Sequence, residues 1–117
     1  MSYQLQGATQ LVTADVTTGT VTFSACTTNA FLIQNPTTTT GAWVNVQNTN
    51  VTSSTFHHAI LGTPATALYV PASSSLVVVG NFGSSGSPQD VYIKTITAAT
   101  TATLVISAVT LRQSGNL

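Results

Sequence analysis

Residues 42–47 read Ala42-Trp43-Val44-Asn45-Val46-Gln47. The alternation is strict. Ala42, Val44 and Val46 fall on one side of an extended chain, and Trp43, Asn45 and Gln47 fall on the other. That is the pattern of a strand with one face on a core. Immediately upstream, Thr37 to Gly41 is four Thr and a Gly, which reads as a loop. Before it, Ala30-Phe31-Leu32-Ile33-Gln34 is a second strand, stopped by Asn35-Pro36. Farther back lie Thr20 to Ser24, with Val21 and Phe23 on one face, and a segment from Tyr3 to Val12.

Downstream the pattern continues. Phe56 to Leu61 carries the adjacent pair His57-His58 and ends at Gly62-Thr63-Pro64. Ala67 to Val70 ends at Pro71. Leu76 to Val79 is apolar at every position and is expected to be buried from both sides. Gly80 to Ser87 reads as a long flexible turn closed by Pro88. Val91 to Thr97 and Thr103 to Leu111 are the last two strands. No window reads as a helix, because β-branched Thr and Val are stiff and the good helix formers are scarce. Eight or nine short strands, broken by Gly, Pro, Asn and Ser, predict an all-β antiparallel fold. A two-sheet sandwich of the jelly-roll kind is the first expectation, and an immunoglobulin-like sandwich the second. One domain is expected over residues 1–112, followed by a short tail, 113–117.

Charge is the other informative feature. Among 117 residues only Asp15, Asp90, Lys94 and Arg112 are ionised, 3% of the chain, with a net charge of zero. An average globular chain carries about 25%. Two cations cannot build the positive stripe that neutralises phosphates, so nucleic acid is not an expected partner. Thr and Ser fill 35 positions, 23 of them Thr. The solvent faces must therefore be hydroxyls and amides, with little repulsion between copies. Interface cores are depleted in charge because burying an unpaired charge is costly. The composition thus points to a subunit of a larger assembly.

Catalytic and metal chemistry find little material. His57 and His58 are neighbours on a strand, so their rings point to opposite faces and do not share a metal readily. Asp15, Asp90 and Cys26 are scattered. No Gly-x-Ser-x-Gly elbow is present, and Asn81 to Gly86 precedes no helix. The reading is of a non-enzyme without metal or cofactor. The lone Cys26 permits no internal disulfide and suits a reducing compartment. The start, Met1 to Gln6, lacks the basic and apolar regions of a signal peptide. Leu76 to Val79, the longest apolar run, is far short of a membrane helix, so no membrane partner is expected. The expectation is a soluble cytoplasmic product. As contact residues, Trp43, Asn45, Gln47, His57, Tyr69 and Tyr92 are the candidates, with Trp43 as anchor.

Several stretches together carry a resemblance. They are Phe31 to Asn35, Trp43 to Val46, Val70 to Val79, Val91 to Ala98 and Thr103 to Ile106. In this order, with low charge and a Thr/Ser excess, the chain resembles the small all-β virion structural proteins of tailed bacteriophages, of the capsid decoration or cement type. The resemblance implies a subunit made in the host bacterial cytoplasm that ends on the capsid surface. Its implied partners are the major capsid protein and copies of itself, as dimer or trimer. A neck, tail or head-fibre component of the same virion is the alternative. A carbohydrate-binding adhesion module, using the exposed aromatic rings, is another. No residue inherits a role from the resemblance.

Overall fold

A computed structural model describes residues 2–17, 19–47 and 68–112, with the backbone alone for 2–8 and 112. Every regular element among the described residues is a strand: β1 (Ser2–Ala14), β2 (Gly19–Cys26), β3 (Thr28–Asn35), β4 (Ala42–Gln47), β5 (Leu68–Val70), β6 (Ser74–Ser84), β7 (Ser87–Ile96) and β8 (Ala102–Arg112). All pairings are antiparallel. The strands pair in two four-stranded runs, β1-β8-β3-β6 and β2-β7-β4-β5. A short ladder, Gly83 with Pro88 and Ser84 with Ser87, joins β6 to β7 and links the runs into one eight-stranded sheet.

Alternation sets the core. Phe31 and Ile33 of β3, Leu104 and Ile106 of β8, Val91 and Ile93 of β7, Val44 of β4 and Phe23 of β2 are all buried. The Phe31 ring stands edge-on to Phe23 and to Phe82, each with centroids 5.0 Å apart. Phe23 belongs to one run and Phe31 to the other, so this contact joins their inner sides. Each such ring pair contributes about 0.5–1.5 kcal/mol beyond the apolar area it buries.

Asn35 closes one end of the core. Its buried amide donates to the carbonyls of Thr40, Val70 and Pro71 at 2.9, 3.3 and 3.2 Å. Its Oδ1 accepts from the Thr37 N–H at 3.2 Å. One side chain thus ties the end of β3 to the end of β5 and folds the Thr37 to Gly41 loop over it.

Two local expectations are corrected. Leu76 to Val79 is not buried from both sides: Leu76 and Val78 pack on the core, while Val79 is 64% exposed. The reason is parity, since alternate residues of a strand point to opposite sides, and Val79 lies on the side away from the core that Leu76 and Val78 pack against. Nor is Gly80 to Ser87 a long turn. β6 continues to Ser84, and only Ser85 and Gly86 separate it from β7. Gly83 makes this passage possible. It sits at φ +103°, and a Cβ there would lie 2.0 Å from the Cys26 carbonyl oxygen and 2.9 Å from the Gln89 nitrogen. The strand foreseen over Phe56 to Leu61 and the tail 113–117 lie outside the described residues, as does Ala67, the first residue of the strand foreseen over Ala67 to Val70.

Candidate functional site

Five of the six candidate contact residues fall on one surface. Trp43, Asn45 and Gln47 lie on the side of β4 away from the buried Ala42 and Val44. Cross-strand register then brings their neighbours alongside. Trp43 pairs with Tyr69 of β5 and Ile96 of β7, Asn45 with Lys94, and Gln47 with Tyr92. Thr20 and Thr22 of β2 stand across from Lys94 and Tyr92. The outward face of β2-β7-β4-β5 therefore has three rows: ring with ring and Ile96, amide with ammonium and hydroxyl, amide with ring and hydroxyl. His57 lies outside the described residues.

Trp43 and Tyr69 are in contact, with centroids 4.6 Å apart and planes tilted by 51°. Gly41 makes room for this pair. A Cβ on it would fall 2.1 Å from the Tyr69 hydroxyl, so the phenol lies directly over that glycine. Tyr69 remains 48% exposed, and Trp43 is half-buried. Large, rigid, amphipathic rings of this kind give contact area at low entropic cost, which suits an interface anchor. Behind this face, the Thr95 hydroxyl is buried with no hydrogen-bond partner among the described residues.

The opposite outward face belongs to β1-β8-β3-β6, and the sequence reading did not single it out. Phe31 and Ile33 point into the core, so Ala30, Leu32 and Gln34 point away from it. Register aligns Leu32 with Val77 and Ser107, Ser107 with Thr9, Ala30 with Val79 and Val109, and Leu11 with Val105. Leu11 is 74% exposed. The missed signal is parity. In the run Leu76 to Val79, alternate residues share a face, so two of the four had to leave the core of a one-sided sheet.

Cys26 has no chemistry to offer from where it sits. It is buried in a cavity of about 100 Å³, and its thiol donates to the Phe23 carbonyl at 3.4 Å. Burial, aided by the negative charge of Asp90, holds its pKa above the usual thiol range, so it stays protonated and unreactive. The Asp90 carboxylate itself accepts the Ala25 N–H at 2.9 Å, fixing the bulge where Ala25 turns to φ 53°. A wider depression of about 470 Å³ is lined by Gln34, Asn35, Pro36, Ser73, Ser74, Ser75 and Val105. Its groups are amides, hydroxyls and methyls. Among the described residues, no three of His, Cys, Asp and Glu come together as metal ligands would.

Comparison with protein families, with curated proteins and with solved structures finds no match to this chain.

Proposed function

We propose that this chain is a non-enzymatic structural subunit of a virus particle, a decoration or cement protein that binds between major capsid proteins and stabilises the head of a tailed bacteriophage. The observation that carries this reading is the surface. Leu11, Val16, Leu68, Tyr69 and Val79 are large apolar residues left exposed, in a chain with four ionised side chains. Surfaces so apolar and so poor in charge favour contact with other protein over contact with water.

The pairing order supports a jelly-roll sandwich as the body. β1 pairs β8, β2 pairs β7, β3 pairs β6 and β4 pairs β5. A long antiparallel ribbon of those four pairs, rolled up so that β3 meets β8 and β4 meets β7, yields the two observed runs. An immunoglobulin-like order would place β1 beside β2 in one sheet, which these ladders do not.

In this reading the Trp43–Tyr69–Tyr92 face lies on the capsid lattice. A standard interface hides about 800 Å² per partner, and many copies bridging neighbouring capsomers add modest contacts into a stiff shell. The chain is made in the host cytoplasm and becomes part of the particle. Counting copies per purified particle tests the proposal. A number commensurate with the capsid lattice supports cement. A handful of copies points instead to a neck, tail or fibre position, and absence from particles overturns it.

A further inference from the structure

We infer that Gly41 is the positioning residue of the Trp43 anchor, acting through the Tyr69 ring that fills the place of its missing side chain. The inference rests on the structural-subunit reading for what the anchor touches, and it deepens that reading by naming what sets the anchor's geometry. Gly41, Trp43, Asn45 and Gln47 share one parity, so Gly41 begins the outward row that β4 continues. Tyr69 stands directly across from Trp43. Its ring touches the indole at a centroid distance of 4.6 Å, and its outer end reaches the diagonal place in the row, over Gly41. A Cβ at Gly41 would lie 2.8 Å from Tyr69 Cε1 and closer still to Cζ and Oη. A methyl and the phenol cannot share that place. A ring laid across a glycine of the neighbouring strand covers backbone that the glycine leaves bare.

The backbone is held on both sides of the contact. The buried Asn35 amide binds the Thr40 carbonyl, next to Gly41, at 2.9 Å and the Val70 carbonyl, next to Tyr69, at 3.3 Å. Ala42, which follows Gly41, pairs with Val70. What can move is the phenol, which is 48% exposed and has solvent to swing into. A side chain at position 41 is therefore answered by Tyr69, which leaves Trp43 and takes up other rotamers. The indole then loses its ring neighbour. Two rings held in one geometry lose little freedom when a partner closes on them, whereas a loose ring must be immobilised. Gly41 thus prepares the contact through Tyr69.

Trp43 is the one tryptophan of the chain, so tryptophan emission reports this place alone. Gly41→Ala in the full chain is expected to shift that emission to the red and to raise its quenching by acrylamide, with the far-ultraviolet strand spectrum kept. Tyr69→Ala is expected to do the same, and Gly41→Ala added to Tyr69→Ala is expected to change nothing further. Tyr69→Phe, which keeps the ring, is expected to match the parent chain. Gly86→Ala is the control, because a Cβ there meets no atom within 4 Å. Binding to stripped particles is expected to weaken about three- to tenfold in Gly41→Ala, as for one freed side chain that must be immobilised again.

Emission unmoved by Gly41→Ala, effects of the two alanine substitutions that add, or emission that moves while particle binding holds overturns the inference. Should Gly41→Ala lose the strand spectrum, adding Tyr69→Ala is expected to restore it by vacating the place, and no restoration overturns the inference. The subunit reading fails separately. A chain missing from particles contradicts that reading and leaves the emission result standing. One that sits on particles in lattice number, with emission indifferent to Gly41→Ala, contradicts the positioning role alone.

Discussion

On the β2-β7-β4-β5 side, Trp43 and Tyr69 lean on each other, and amides, hydroxyls and one ammonium fill the rows between the rings. On the β1-β8-β3-β6 side, Leu11, Leu32, Val77, Val79 and Val105 share the outward parity with Thr9, Gln34 and Ser75, and Ala30, Ser107 and Val109 among them are buried. Both faces cover the same core and use the same antiparallel pleat. Their difference lies only in which side chains fill the outward parity. Rings set among polar groups give a contact with orientation and register. Aliphatic side chains give a contact that needs no matching donors.

The largest expected effect removes both faces at once. Gly83 sits where β6 hands over to β7, and Gly83→Ala drives a methyl into the Cys26 carbonyl while holding an unfavourable φ. A loss of about 3–5 kcal/mol is expected from strain and overpacking together, read as a fall in the thermal or urea midpoint. An unchanged midpoint would show that the joint between the runs is not built as described.

Next in size is the aromatic face alone. Trp43→Ala is expected to weaken binding to the particle by about 2 kcal/mol or more, as for a ring anchor, and to leave the strand spectrum intact. Thr39→Ala, in the exposed loop before β4, is expected to change neither. Equal losses from both substitutions, measured by co-sedimentation with stripped particles, would mean that the anchor is elsewhere.

Smaller effects come from the layer beneath. The Thr95 hydroxyl is buried behind the aromatic face without a partner among the described residues. Thr95→Val is expected to be neutral or to stabilise by about 1 kcal/mol, since the desolvated hydroxyl is replaced by a methyl of the same shape. Cys26 supplies a pH signature. Its folded pKa is raised, so the folded state holds the thiol proton more tightly than the unfolded state does. Its contribution is fully present below the unfolded thiol pKa and is lost as pH rises from there through the higher folded one. Stability is thus expected to decline on the alkaline side, and Cys26→Ala is expected to flatten that limb.

The strand framework was legible in the sequence where alternation is clean. Ala42 to Gln47 is a strand over those very residues, and Thr20 to Ser24 and Ala30 to Gln34 are strands that extend a few residues farther. Candidate contact residues chosen one by one, Trp43, Asn45, Gln47, Tyr69 and Tyr92, come together because register aligns them, which no single strand reveals. Two features were hidden for physical reasons. Asn81 to Gly86 has the composition of a turn, yet Gly83 serves a left-handed passage within a continuing strand, and Phe82 beside it is buried. Leu76 to Val79 looks like an interior strand because all four residues are apolar, and the parity that turns Val79 outward becomes visible only once Leu76 and Val78 are placed against the core.

Ionic strength gives the smallest and sharpest separation. Assembly of the chain onto particles is expected to depend only weakly on sodium chloride, because so few charges can be screened. The β2-β7-β4-β5 side includes Lys94, so contact through it is expected to show a shallow salt dependence.

The central claim is that a body so poor in charge serves to touch other protein, and quantitative mass analysis of intact particles addresses it most directly. The account predicts this chain in hundreds of copies, in fixed ratio to the major capsid protein. Particles that are complete and pressure-resistant without it would contradict the account.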